Sequence, residues 1–251
     1  MFTHLGAFEG IGAFSEACRR TGKIQTIAYI DIDQHAQTVF KDNFPDIPIY
    51  SDIRDYHPCK GIDLYTGGFP CTGTSNAGNK QGLNHPESAL WFEFLRIINE
   101  GQPKFVVIEN PASVLNNGLR AILGGLRMAG YSWDDPQILQ AAFFGSPQKR
   151  ERLFVIAYSN DRTRIRKECW SDQIGESIKR QRFSSRYPSF ERRGDERAIR
   201  VPPELGEVDM FQPKGIANRN DARRLFGRTI DLNCASVVIK RVLYLDRVFS
   251  K

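Results

Sequence analysis

Cys71 closes the stretch Gly67-Gly68-Phe69-Pro70-Cys71, directly after Ile62-Asp63-Leu64-Tyr65-Thr66, an apolar run that reads as a buried strand. A cysteine on a Gly- and Pro-shaped turn at a strand exit holds its sulfur out over a sheet edge, a good position for a nucleophile. A buried structural thiol is the competing reading of the same residue. Thr72 to Pro86 are small, polar, Gly- and Pro-containing residues, the composition of a long loop that can act as a lid.

Two other groups carry chemistry. Phe8-Glu9-Gly10-Ile11-Gly12 lies between a first apolar run and a first helical stretch. Two glycines there let the backbone approach a ligand whose negative group faces a helix N-terminus. Asp31, about 20 residues on, is placed to take ribose hydroxyls. The third glycine of the dinucleotide fingerprint is missing, so an adenosine ligand without pyrophosphate, such as S-adenosylmethionine, fits at least as well as NAD. Asp52 follows a third strand and can accept from an adenine amino group, whereas Asp33 is placed to start the next helix. Glu109, at the end of Phe105-Val106-Val107-Ile108, would sit at the carboxyl edge of a sheet near Cys71. A carboxyl group in a semi-enclosed apolar site has a raised pKa and can donate a proton; a solvated strand-end acid is the plainer reading. In Gln148-Lys149-Arg150-Glu151-Arg152, extended backbone would put Gln148, Arg150 and Arg152 on one side. Arginines so arranged suit phosphate or a base carbonyl, or else guard an edge strand.

The elements that must position these residues alternate. Strands are expected at Leu5 to Phe8, Thr26 to Ile30, Ile49-Tyr50, Leu64 to Thr66, Phe105 to Ile108, Ile138 to Phe144 and Leu153 to Tyr158. Helices are expected at Ala13 to Arg20, Gln34 to Phe44, Ala89 to Glu100 and Leu119 to Met128. This order predicts an α/β, doubly wound, mostly parallel sheet. From Asn160 to about Arg200 the chain is rich in arginine, with Trp170, Phe183, Tyr187 and Phe190 interleaved and no clear period. That texture suits either a solvated insert or a nucleic-acid contact region. A short helix from Asp221 to Phe226 and an amphipathic helix from Ala235 to Val248 close the chain.

Composition narrows the classes. The 251 residues carry a net charge of +6, which favours an anionic partner, nucleic acid first. No apolar run approaches a membrane span, and Met1-Phe2-Thr3-His4 is not the start of a signal segment. The five cysteines are scattered without metal-type spacing, so no metal and a reducing, cytoplasmic setting are expected.

In order and spacing these pieces resemble the DNA (cytosine-5) methyltransferase family. Phe8 to Gly12 resembles its first motif, and Asp31 and Asp52-Ile53 its ribose and adenine contacts. Gly68-Phe69-Pro70-Cys71 with Ser75, Gly78 and Gly82 resembles its catalytic loop. Glu109-Asn110-Pro111 resembles the ENV motif, Gln148 to Arg152 the QxRxR motif, and Phe226-Gly227 with the helix after it the last motif. The match covers about residues 3–159 and 221–250. It implies a Rossmann-like methyltransferase domain at 1–159, a small basic target-recognition region at 160–220, and a C-terminal helix at 221–251 that completes the catalytic domain. It implies S-adenosylmethionine as donor, double-stranded DNA with a flipped cytosine as substrate, and a monomer. By the same resemblance Cys71 would add to carbon 6, Glu109 would hold and protonate the N3 edge, Arg152 the base carbonyl and Arg150 the nearby backbone, while Asn110 would position the loop around Cys71. Phe8, Gly10, Ile11, Gly12, Asp31, Ile32, Asp52, Ile53, Gly68, Pro70, Leu90 and Arg228 would line the cofactor site. RNA as substrate, or a partner subunit that has lost catalysis, are the alternatives. The family's usual glutamine after the catalytic cysteine is Thr72 here, its later aromatic is Thr74, and its Gly-Asn in the last motif is Gly227-Arg228. Arg228 is a permanent cation near a sulfonium site. It either turns to solvent or DNA phosphate, or selects an anionic donor, carboxy-S-adenosylmethionine, which would place a carboxymethyl group on cytosine.

Overall fold

Phe105 and Val107 point to one side of their strand, Val106 and Ile108 to the other, and all four are buried. A strand that is apolar on both faces must lie inside a sheet covered on both sides. A computed structural model, which describes residues 1–70, 90–144, 150–162, 168–184 and 229–250, shows such a sheet. Strands β1 (Phe2–Ala7), β2 (Ile24–Ile30), β3 (Ile49–Tyr50), β4 (Leu64–Gly67) and β5 (Phe105–Pro111) run parallel in the order β3-β2-β1-β4-β5. β8 (Glu151–Ser159) then pairs antiparallel with β5. On its other edge β8 takes β6 (Tyr131–Trp133) near one end and β7 (Gln137–Gln140) near the other.

One face packs on α3 (Leu90–Gly101) and α5 (Leu119–Met128), through Trp91, Phe94, Ile97, Ile98, Ile122 and Leu126. The other face packs on α1 (Ala13–Thr21), α6 (Trp170–Ser184) and α7 (Leu232–Phe249). α2 (Gln34–Asn43) is anchored by Phe40, stacked on Tyr29 at 3.8 Å, and α4 (Val114–Asn117) is a single turn before α5. The helix ends follow local chemistry. Asp33 caps α2 by accepting from the amides of His35 and Ala36, and Asp231 caps α7 through Asn233 and Cys234. The Asp231 cap starts the last helix at Leu232, ahead of its expected start at Ala235. Arg241 on α7 is buried, meets Asp134 at 2.8 Å and donates to the Glu168 carbonyl, which ties the C-terminal helix to the sheet and to the chain before α6.

Two expectations need correction. The strand expected over Ile138 to Phe144 ends at Gln140, and Ala141–Phe144 is a 3-10 turn. Its partner β8 begins at Glu151, opposite Gln140, so no ladder exists for the later residues. The arginine-rich stretch is not aperiodic throughout. Trp170, Ile174 and Ile178 recur every four residues, form α6 and pack against the α7 side of the sheet. Trp170 is thus a core residue and not a nucleic-acid stacking platform. Helix α6 belongs to the helical layer on the α7 side of the sheet. The sheet is mostly parallel, as expected, and β8 is the strand that runs against its neighbours β5, β6 and β7.

Candidate active site

The chain leaves β1 in one direction for β2 and the sheet continues on the other side with β4, so the carboxyl ends of β1 and β4 flank a topological switch point. Open α/β sheets bind ligands there. The turn after β1 is unusual backbone: Phe8, Gly10 and Gly12 have φ of 57°, 59° and 91°. A phenylalanine with positive φ is uncommon and is held by the structure around it. Here the Phe8 amide donates to Ile30 and its ring packs edge-on against Phe94. Asp31 spans the turn by accepting from the Gly10 amide at 2.9 Å and the Asp33 amide at 3.0 Å, and Tyr29 donates to the Gly10 carbonyl. The last motif comes back to this point, as the Thr229 hydroxyl would lie 3.6 Å from a Cβ built on Gly10. Ile32, just past Asp31, is 66 % exposed, an uncovered apolar surface of the kind an adenine ring stacks on, while Ile53 is buried behind its own short helix. Asp52 caps that helix and pairs with Arg54, whose hydrogen bonds hold its carboxyl below the usual range. Leu90, half-buried, opens α3.

Gly68 is where the two halves of the site touch. Its amide donates to Ala7, continuing the β1–β4 pairing past the end of the strand. A Cβ there would lie 2.8 Å from Glu109 Oε2 and 3.6 Å from the Phe8 carbonyl. Only glycine lets the cofactor-side turn, the exit of β4 and the buried acid of β5 approach so closely. Phe69 is buried against Trp91, and Pro70 is exposed. Cys71, the next residue, lies outside the described residues, as do Gln148 and Arg228.

Glu109, Arg150 and Arg152 come together, while Asn110, the next residue of β5, turns to the opposite face of the sheet. β5 and β8 bring Pro111 opposite Arg152, so both motifs share one end of one ladder. Arg152 Nε lies 2.7 Å from Glu109 Oε1, a close charge contact rather than an aligned hydrogen bond. Burial raises the Glu109 carboxyl above its usual range, against the opposing charges of Arg152 and Arg150. Burial likewise lowers Arg150. Among the described residues, Glu109 Oε1 and Nε and Nη2 of Arg150 lack a hydrogen-bond partner on this face, and both amide atoms of Asn110 lack one on the other face of β5. Each such atom costs about 1–3 kcal/mol, so this concentration marks a place built for something else to bind.

Sequence reasoning missed what lies beneath the turn. Glu9 is buried and accepts from Ser15 Oγ at 2.7 Å and Thr66 Oγ1 at 2.8 Å. Thr66 also meets His4, whose other ring nitrogen meets Thr26. The available signal was an acid inside a Gly turn between two apolar elements, which is not a solvent-seeking position.

Comparison with known proteins agrees with this arrangement. Residues 2–202 match the family described as C-5 cytosine-specific DNA methylase. The chain is 33% identical over 169 residues to the type II methyltransferase M.Eco47II of Escherichia coli, which covers 64% of this chain and 40% of that protein. It is 35% identical over 167 residues to M.HpaII of Haemophilus parainfluenzae, covering 62% and 46%. The matched region thus spans less than half the length of these curated relatives. Among solved structures, a putative DNA modification methyltransferase of an E. coli prophage aligns over 100% of both chains with a TM-score of 0.64 at 18% identity. The S. pombe Dnmt2 methyltransferase aligns over 70% of this chain and 55% of its own with a TM-score of 0.57 at 20% identity. Both share the Rossmann-like methyltransferase fold.

Proposed function

The chain belongs to the C-5 cytosine-specific DNA methylase family, and from this we propose that it transfers a methyl group from S-adenosylmethionine to carbon 5 of cytosine in double-stranded DNA. The observation that carries the proposal is the set of unpartnered polar atoms on Glu109 and Arg150 beside Arg152. A cytosine flipped from the duplex offers N3, an amino group and a carbonyl, complementary to a carboxyl group and guanidinium donors.

The residues on the cofactor side suit the donor. The turn from Phe8 to Gly12 leads into α1 with no side-chain cap on Gly12, Asp31 stands over the turn, and Ile32 presents apolar surface. Phe8, Gly10, Ile11, Gly12, Asp31, Ile32, Asp52, Ile53, Gly68, Pro70 and Leu90 would hold it, with Arg228 arriving next to Thr229. The donor's contribution is a methyl group on a positively charged sulfur.

Carbon 5 of cytosine is a weak nucleophile until a group adds at carbon 6. Cys71, one residue beyond Pro70, would supply a thiolate that bonds to carbon 6. Glu109 would give its proton to N3, and burial, which raises its carboxyl above the ordinary range, favours that role. Carbon 5 would then take the methyl group, its own proton would leave to a base, the Cys71–carbon 6 bond would break to restore the thiolate, and N3 would return its proton to Glu109. Arg152 would hold the base carbonyl and Arg150 the backbone beside it. Asn110, with both amide atoms free, would bind the chain around Cys71.

Labelled methyl transfer to duplex DNA tests the proposal. Activity is expected in the unmodified protein, with methylcytosine as the product nucleoside. Cys71→Ser is expected to lose it entirely while keeping the fold, because a hydroxyl of far higher pKa cannot replace the thiolate. Full activity in Cys71→Ser would remove that residue from the mechanism. Bisulfite sequencing of DNA from an expressing host reads the target context at the same time.

A further inference from the structure

Among the described residues, Glu9 is a buried acid that no cation faces. Its side chain is 1 % exposed, and among the described residues its one charge-type contact is His4 at 3.5 Å. Burial pushes the His4 imidazole down to about 3, so it is neutral at any working pH. The groups that face Glu9 come from every element packed round it. From α1 come the Ser15 hydroxyl and the Cys18 thiol, from β2 and its exit Tyr29 and Asp31, and from β4 the Thr66 hydroxyl. None is cationic, and Asp31 adds a second negative charge nearby. Two hydroxyls and a backbone bond from Ser15 satisfy the oxygens, yet burial still pushes the Glu9 carboxyl up to about 7.

Position gives this acid a use. Glu9 sits between Phe8 and Gly10 in the turn that the donor is proposed to occupy, and its carboxyl group packs over Gly6, where a Cβ would lie 2.3 Å away. Thr66, its other holder, is two residues before Gly68, at the junction with the base site. The acid therefore lies under the place where a sulfonium cation would be brought to the base.

We propose that Glu9 is a positioning residue that acts as a buried counter-charge, giving up its proton to solvent when the cationic donor binds and taking one back when the neutral thioether product remains. This rests on the reading that S-adenosylmethionine binds the Phe8–Gly12 turn. The consequence is a selectivity switch between donor and product. The donor stabilises the ionised carboxylate and is favoured by it, whereas S-adenosylhomocysteine carries no charge on sulfur and has no such link. Donor affinity therefore rises as pH is raised through about 7, and product affinity does not follow it.

Titration calorimetry of the full chain in phosphate and in imidazole buffers at neutral pH reads the proton directly. S-adenosylmethionine is expected to release about half a proton more than S-adenosylhomocysteine. Glu9→Gln, similar in shape and able to keep both hydroxyl contacts, is expected to remove that difference and to reduce the donor-over-product preference roughly five- to tenfold at pH 8. Thr66→Val removes one donor to the ionised form and is expected to move the pH midpoint of donor binding upward, a shift that a purely structural role for Glu9 would not produce. Equal proton release for both ligands, or a preference unchanged in Glu9→Gln, overturns the counter-charge. Failure of the unmodified protein to bind either ligand overturns instead the cofactor reading on which it rests.

Discussion

Glu109, which packs over Gly68, and Glu9, which packs over Gly6, are both buried, and their surroundings differ in kind. Glu109 faces two guanidinium groups, one at 2.7 Å, and the polar atoms around it are left without partners. Glu9 faces neutral hydroxyls and a neutral imidazole, and its oxygens are partnered. Burial raises both carboxyl groups. The difference lies in what each environment leaves undone. Around Glu109 hydrogen bonds are missing and charge is supplied, so the site waits for a neutral, hydrogen-bonding ligand such as a base. Around Glu9 hydrogen bonds are complete and no cation faces it among the described residues, the arrangement on which the proposed counter-charge rests. Buried polar groups are tolerated when paired or when function needs them unpaired, and here the two forms of incompleteness point at two different ligands.

Replacing the acid on the base side should break the comparison most severely. Glu109→Gln keeps the shape but can give no proton to N3, and methyl transfer should fall by roughly 10²–10⁴-fold with the fold retained by circular dichroism. Activity within a few-fold of the parent would show that the two acids do not differ as argued. Gly68→Ala should come next. Its methyl group would meet Glu109 Oε2 at 2.8 Å and must displace it, so turnover should drop roughly 100-fold with a smaller effect on donor affinity. If donor binding suffers more than turnover, Gly68 serves the Phe8 side instead.

The smallest effect is on stability and sharpens the cofactor side. Glu9 has a folded pKa near 7, above its ordinary value. Its protonation stabilises the fold fully below the unfolded pKa, and this stability is lost as pH rises through about 7. His4 is depressed to about 3. Its contribution is present above the ordinary histidine value and is lost as pH falls through about 3. At pH 5–6 the folded pair is a neutral imidazole with a protonated acid, and the unfolded pair is an imidazolium with a carboxylate. Both hold one proton, so the two slopes cancel. Glu9→Gln exposes the histidine slope, and stability relative to the parent should climb by about 1.4 kcal/mol per pH unit between pH 5 and 6.5. Urea unfolding across that range checks it, and parallel curves for the two proteins would refute the assignment.

Most of the site is legible in the amino-acid sequence. Gly-X-Gly after an apolar strand, an acid about 20 residues later and an acid at the end of Phe105-Val106-Val107-Ile108 all sit at the carboxyl ends of strands, because an α/β chain delivers each parallel strand to the same edge. Local signals are carried by neighbours in sequence, so the cap at Asp33, the helix at Leu119–Met128 and the two-sided burial of β5 could be read directly. Helix α6 was hidden because its three apolar residues are diluted by charge, and only packing against α7 shows which face matters.

Sequence by itself determined which residues stand at strand exits and which strands are apolar on both faces. It did not determine partners. Alternation sends a side chain to one face of a sheet without naming the strand beside it, and the direction of β8 next to β5 leaves no mark on either segment alone. His4, Glu9 and Thr66 are up to 62 residues apart and meet only because β4 lies beside β1. Glu109 and Arg152 meet only because an antiparallel ladder brings their ends together. A residue's charge and size are written in the chain, but the dielectric and the donors around it are set by distant segments, and those decide which buried acid waits for a base and which for a cation.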